Sequence, residues 1–464
     1  MRPSHLAAAL VGGGLVAISI GLSLSYWPGL MTWDSIRQYD QALSGRFDDW
    51  HPPLMEWTWR QLAQVRAGPA PMLVLQLGLY GAGYGLLVGW ALNRRRPGLA
   101  VALGTASLTP IAVALMGAVI KDSLMAALLL AAAGLLAWRP ERGGRLLRLT
   151  AISLIVLASA IRFNAFLAGG PLLTALLPER LRSTRLTLAA TAVAATAALL
   201  LPMPIANHLL GAQRSGVELS LVIFDLGGIT EHSGEDAFPP LPVSDPVRAN
   251  HSCYSPVRWD LYADWAEETC PVGFDAVGAA FREQRIRPTL FWAEAILAHP
   301  LAYAQHRLRH FNINARFLVR GEIERPVHDR SEENVWSYQV TPNLLLHAVD
   351  AMARLTARTP LGWPIFWMAV ALGVLTLCHR LPSRSLVVPL ALSALLYGLG
   401  YGVVGVSSEL RYHLWTMIAA LVASCIAAAD MASPKVDVGR TACLIAALPP
   451  VLVVALGAAW RLTG

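Results

Sequence analysis

Apolar runs long enough to cross a bilayer recur along this chain, and they constrain it more than any other feature. A spanning helix needs about 20 apolar residues. Eleven stretches approach or reach that length, near 6–25, 71–92, 98–119, 122–138, 149–162, 164–177, 186–205, 361–378, 386–406, 413–430 and 440–460. Of the 464 residues, 55% are hydrophobic and only 14% charged, whereas a soluble domain carries roughly a quarter charged residues. In lipid every backbone polar group must be satisfied internally, which a helix does within its own segment. The expected fold is an all-α polytopic membrane protein of about eleven spans. The first run, "MRPSHLAAALVGGGLVAISIGLSLS", lacks a small-residue cleavage site and reads as an uncleaved helix.

Arginine in the short connections sets the expected orientation. "NRRRP", "RPERGGRLLR", "PERLRSTR", "HRLPSRS" and "DMASPKVDVGR" fall on one side if the N-terminus is cytoplasmic. The formal charge of +7 is then mainly a topology signal. No basic face with interleaved aromatics points to nucleic acid. The chain divides into a transmembrane module, 1–205, with a first outer loop at 26–70; an extracytoplasmic segment, 206–360; and C-terminal helices, 361–464. Cys253 and Cys270 fall in the outer segment, where a disulfide or two buried thiols are equally open readings. No zinc spacing and no phosphate-binding G-x-x-x-x-G-K-[ST] is present.

Charges stand where an apolar chain should avoid them. A charge at mid-bilayer costs about 3 kcal/mol on insertion scales. The 98–138 run must therefore turn, and "VIKDSL" places Lys121 and Asp122 at the tip. "LASAIRFNAFLAGG" sets Arg162 and Asn164 between two further spans. "VVGVSSELRYHLWTM" does the same with Glu409, Arg411, Tyr412 and His413. A hairpin-tip Lys–Asp pair and snorkelling arginines explain each alone. Together they describe three outer connections with a cation set among apolar residues. We expect Lys121, Arg162 and Arg411 to converge with the first outer loop on one site.

That loop reads "MTWDSIRQYDQALSGRFDDWHPPLMEWTWR". "DSIRQYDQAL" carries Ile36, Tyr39 and Leu43 at the spacing of one helical face, with Asp34 or Ser35 as its N-cap. Pro52 and Pro53 suit the first turn of a second, interfacial helix. His51 precedes it, as a cap or facing a ligand. A carboxylate among cations can accept a proton from an acceptor hydroxyl while the cations hold a departing phosphate. A lipid-linked phosphate is the donor that suits an outer membrane surface.

On "TWDSIRQYDQALSGRFDDWHPPL" and "IKDS" the chain resembles the GT-C superfamily of integral-membrane glycosyltransferases, which includes protein O-mannosyltransferases and lipid A aminoarabinose transferases. The resemblance implies a GT-C-like fold and a polyprenyl-phosphate sugar as donor. It implies Asp34 as catalytic base and Lys121 as a contact to the lipid phosphate. Arg162 and Arg411 join the phosphate site from charge placement. A second acid in the family's first loop corresponds to Asp40, Asp48 or Asp49. No dense carboxylate cluster is present, so metal independence is expected and no cofactor is implied. His51 would orient donor or acceptor. The expected setting is a bacterial inner membrane with the site extracytoplasmic.

The acceptor is a lipid, a polysaccharide or a protein. Trp259, Trp265, Trp292 and Trp336 are candidates for stacking on sugar. A transporter or flippase of an anionic lipid-linked sugar would use the same cations without chemistry. Charge gathered on one side, with spans nearly free of it, favours a one-sided site. A polysaccharide polymerase or ligase shares the donor class.

Overall fold

A computed structural model describes residues 3–138, 144–266, 269–321, 325 and 327–463. Part of the "RPERGGRLLR" connection, 139–143, lies outside the described residues. Contacts divide the chain into two units. The first comprises Met1–Gln213, Arg325–Gly398 and Leu410–Leu456; the second comprises Arg214–Glu324, Leu399–Glu409 and Gly457–Gly464. Residues 325–360 therefore group with the first unit, not with the segment that precedes them.

The described residues are helical throughout, with three isolated bridges and no strand. The N-terminal helices are α1 (Pro3–Ser23), α2 (Trp33–Ser44), α3 (Leu54–Ala63), α4 (Ala70–Asn93), α5 (Pro97–Ala106) and α6 (Pro110–Met116). Next come α7 (Lys121–Ala137), α8 (Arg145–Ile161), α9 (Ala165–Leu176), α10 (Arg185–Ala198) and α11 (Pro202–Leu209). The second unit holds α12 (Glu218–Ser233), α13 (Pro246–Cys253), α14 (Phe274–Glu283), α15 (Pro288–Ala298) and α16 (Pro300–Asn314). The chain closes with α17 (Leu344–Ala357), α18 (Pro364–Leu377), α19 (Arg384–Val404), α20 (Leu414–Met431) and α21 (Arg440–Leu462).

Among the described residues six helices are long and apolar enough to cross a membrane, or seven if the bent pair α5–α6 counts as one span. The expected windows at 6–25, 71–92, 186–205, 386–406, 413–430 and 440–460 fall on those six. The other windows become shorter helices. The 164–177 stretch forms only the 12 residues of α9, about 18 Å at 1.5 Å per residue, well short of the bilayer's roughly 30 Å core.

Local chemistry explains the break in the third window. Proline at position 110 disfavours helix at Thr109, and α5 and α6 meet at 58°. The carbonyl of Ser107, freed by the break, accepts from Ser19 Oγ at 2.6 Å and Tyr80 Oη at 2.8 Å. Polar partners of this kind let a broken helix persist among apolar ones. Nearby, α4 and α7 approach through Gly83 and Gly134. A Cβ on Gly134 would come within 2.9 Å of the Gly83 carbonyl oxygen, the close backbone approach that small residues permit.

In the second unit, α12 and α16 pack around an enclosed charge. Asp225 is paired with Arg307 Nη2 at 2.5 Å and accepts from Trp292 Nε1 at 2.8 Å. Cys253 and Cys270 form a disulfide, with Cα atoms 5.9 Å apart.

Candidate functional site

The first loop is folded by its own polar residues. Thr32, not Asp34 or Ser35, is the N-cap of α2, in a reciprocal capping box with Ser35. The cap lies two residues earlier than expected because Ser35 already serves twice. Its hydroxyl accepts from Thr32 N at 3.0 Å and donates to the Val119 carbonyl at 2.7 Å. Asp34 is thus released from a capping role. Leu30 is bridged to the same segment: its N donates to Gly117 O at 3.1 Å, and Val119 N donates to Leu30 O at 2.9 Å. Gln76 of α4 holds that segment from behind, donating through Nε2 to the carbonyls of Met116 and Ala118 at 2.7 and 2.8 Å. These bonds align the start of α2 with the start of α7, and so Asp34 with Lys121.

The far end of α2 is closed by Gly45 in the left-handed region, φ +70°. Arg60 of α3 donates to the carbonyls of Ala42 and Leu43 at 2.9 and 3.0 Å. Segment 331–340 lies across both helices. Ser331 Oγ accepts from Met31 N at 3.0 Å, and Trp336 and Tyr338 pack edge-on against Tyr39. Helix α2 buries Ser35, Gln38 and Gln41 alongside Tyr39 and Ala42 and leaves Trp33 and Leu43 exposed. Its polar side faces the protein.

Asp34 stands among three other residues expected at the site. Its Oδ2 is 2.9 Å from Arg411 Nη1 and 3.9 Å from Lys121 Nζ, and its Oδ1 is 3.7 Å from His51 Nε2. Its side chain remains 25% exposed, whereas those of His51, Lys121 and Arg411 are nearly enclosed. Lys121 Nζ lies 2.6 Å from His51 Nδ1. An ammonium has only donors, so Nδ1 is the acceptor and the neutral ring carries its proton on Nε2, towards Asp34. Burial, reinforced by the Lys121 charge, pushes the His51 imidazole well below its ordinary range. His51 is therefore neutral here, its Nε2–H directed towards Asp34 from 3.7 Å. Burial alone would raise the Asp34 carboxyl. The charge on Arg411, with His51 and then the Lys121 charge adding to it, overturns this and holds it below the usual carboxylate range.

Arg162 belongs to an adjoining pair. Its Nη1 is 2.7 Å from Asp122 Oδ1, both side chains buried. Its guanidinium and that of Arg411 flank the ring of Tyr412, at 4.7 and 5.5 Å from the centroid. Asn164 is the N-cap residue of α9, its Nδ2 buried without a hydrogen-bond partner among the described residues.

The candidates for a second acid separate clearly. Asp40 is on the exposed side of α2, and Asp48 is paired with Arg37 at 2.6 Å. Asp49 is half-buried, its backbone N donating to Gln213 O at 3.0 Å. Glu409 falls in the second unit. Of the tryptophans, Trp259 is buried against Trp265, Trp292 serves Asp225, and Trp336 packs on the first loop.

Two site residues escaped the sequence reading, Gln38 and Glu56. Both side chains are fully enclosed. The signal for Gln38 was its place one turn beyond Asp34 on the same helical face; Glu56 looked like an ordinary acid in a helix's first turn. Among the described residues, no group of three or more His, Cys, Asp and Glu side chains is arranged to hold a metal ion. No family model matches this chain, and no curated protein or solved structure matches it either.

Proposed function

We propose that the protein is an integral-membrane glycosyltransferase that moves a sugar from a polyprenyl-phosphate donor to an acceptor hydroxyl. The observation that carries this reading is the Asp34 carboxylate, open to solvent on one side and ringed by Arg411, Lys121 and His51 within 4 Å. In the reaction the acceptor O–H gives its proton to Asp34, and the oxygen attacks the anomeric carbon. The bond from that carbon to the phosphate oxygen breaks, and its electron pair leaves with polyprenyl phosphate. Arg411 and Lys121 stabilise the charge on the departing group. Single displacement inverts the anomeric configuration.

The resting ion pair suits an ordered cycle. A carboxylate held by Arg411 is a weak base, and catalytic bases work best with a pKa near the working pH. A donor phosphate drawn to Arg411 and Lys121 adds negative charge beside Asp34 and strengthens it as a base. Arg162 contributes less to phosphate than its charge suggests, because Asp122 balances it. The Cys253–Cys270 bond agrees with an extracytoplasmic second unit.

Turnover of a labelled polyprenyl-phosphate sugar by purified protein tests the reading, with Asp34→Asn alongside and chelator present or absent. Release of polyprenyl phosphate that is lost in the variant and indifferent to chelator is the expected result. Donor left intact with a broad panel of acceptors would discard transfer in favour of transport of an anionic lipid.

A further inference from the structure

Beneath Asp34 lies a polar pair that the proposed reaction does not use. Glu56, on the inner side of α3, is fully enclosed, and so is Gln38, one turn beyond Asp34 on α2. The carboxyl oxygens of Glu56 and the amide atoms of Gln38 have no well-formed hydrogen bond to any described group, each other included. The two side chains are neighbours. Buried polar atoms without partners cost about 1–3 kcal/mol each, a cost that is smaller for a neutral acid than for a carboxylate.

Among the described residues no cation is paired with the Glu56 carboxyl. Arg37 is 2.6 Å from Asp48, Arg411 is on Asp34, and Arg162 is on Asp122. Lys121 is directed to His51 and Asp34. An ionised carboxylate enclosed without a partner is strongly disfavoured, and such a group keeps its proton. A protonated carboxyl has one donor and remaining acceptor capacity, which matches the carbonyl oxygen and amino group of Gln38.

We propose that Glu56, as a neutral carboxylic acid beside Gln38, is a positioning residue of the Asp34 site that sets how much positive charge the site offers a phosphate. The inference rests on the donor reading above. Ionising Glu56 would add one negative charge near Lys121 and lower by one unit the positive charge that the site offers a phosphate. Burial, with Asp48 adding to it, pushes the Glu56 carboxyl up to about 9. The charged groups that act on it are Arg37 on α2, Asp48 in the turn after α2 and Lys121 on α7. Helix α4 carries no charged residue, and the arginines of α8 are confined to its first turn.

The test is binding of a short-chain polyprenyl phosphate to the full chain in detergent, from about pH 7 to 10, for wild type, Glu56→Gln and Glu56→Met. Removing one unit of surplus charge weakens the binding of an anion by about tenfold. The expected result is a wild-type affinity that falls about tenfold around pH 9 and a flattened profile in both variants. The same alkaline fall in all three proteins would assign it to Lys121 or another shared group and overturn the proposal. A wild type that binds no polyprenyl phosphate at any pH overturns the donor reading instead, a distinct result. Infrared spectroscopy supplies a readout that needs no ligand. A carboxylic-acid carbonyl band should be present at neutral pH, fade as the pH rises and be missing from Glu56→Gln; its absence from the wild type would refute the neutral acid directly.

Discussion

The resting pair between Asp34 and Arg411 makes a measurable claim about stability and pH. Arg411 Nη1 is 2.9 Å from Asp34 Oδ2, with the two side chains 10% and 25% exposed. At an effective dielectric of about 20, unit charges roughly 4 Å apart attract by about 4 kcal/mol. Desolvation and the open side of Asp34 remove part of that, leaving a coupling of about 2 kcal/mol. A double-mutant cycle with Asp34→Asn and Arg411→Gln isolates this quantity, read from equilibrium denaturation in detergent. The sign of the pH dependence follows from the direction of the shift. The Asp34 carboxyl is held below its ordinary range, with Arg411 the largest stabilising charge against the opposing effect of burial. Stability from a depressed carboxyl is fully present above the unfolded value, about 3.9 for Asp, and is lost as pH falls towards the folded value. The coupling should therefore be near 2 kcal/mol and flat from about pH 8 to 5, then shrink below about pH 4. A coupling under about 0.5 kcal/mol at neutral pH would mean an exposed pair of ordinary strength. A coupling unchanged at low pH would mean that something other than the charge on Asp34 links the two residues. Either result would refute the resting-pair argument.

Other perturbations probe the same architecture. Asp34→Asn removes the proposed base and should lower transfer by about 10²–10⁴-fold, with donor binding retained, as separate turnover and binding measurements would show. Gln76→Leu strands the carbonyl of Met116, worth about 1–3 kcal/mol when left unsatisfied, and leaves that of Ala118 only its bond from Ile120 N. It should lower thermal stability and also activity, because those carbonyls hold the segment that delivers Lys121. Breaking the Cys253–Cys270 bond opens a loop whose closure is worth about 3 kcal/mol in the chain-entropy account. Reductant, or Cys253→Ala with Cys270→Ala, should make the second unit unfold earlier without changing metal or chelator sensitivity.

What could be read from the residue order depended on how strongly lipid penalises a choice. Lys121, Arg162 and Arg411 were conspicuous because a charge between apolar runs demands an explanation, and the structure gathers all three in the first unit near Asp34 and Tyr412. Their partners were not conspicuous. Arg162 and Asp122 are 40 positions apart and meet because α7 and α8 pack together, a fact of three-dimensional packing with no local periodicity to announce it. The span count is recovered only in part, for a related reason. Hydropathy records apolar runs but not where the helix stops, and the breaks at Thr109 and after α9 depend on proline and on polar partners such as Ser19 and Tyr80.

The face of α2 carries the broader lesson. In a soluble protein the apolar side of a helix is its core side, so Ile36, Tyr39 and Leu43 would mark the buried face. Here Tyr39 is buried as that face predicts, but Leu43 and Trp33 are exposed and Ser35, Gln38 and Gln41 are buried. Apolar residues beside a bilayer have lipid as an alternative partner, so the core-side rule loses its force and the polar stripe becomes the informative one. Asp34, Gln38 and Gln41 recur at helical spacing, and a chain that encloses such a stripe must satisfy it with specific partners or give up stability. The Asp34 ion pairs and the bond from Asp48 N to Gln41 Oε1 at 2.9 Å answer that requirement. The first of them also leaves a carboxylate edge open to solvent. That opening, on an otherwise enclosed polar stripe, is why the arrangement reads as a place for a reacting group and not merely as a way of holding two helices together.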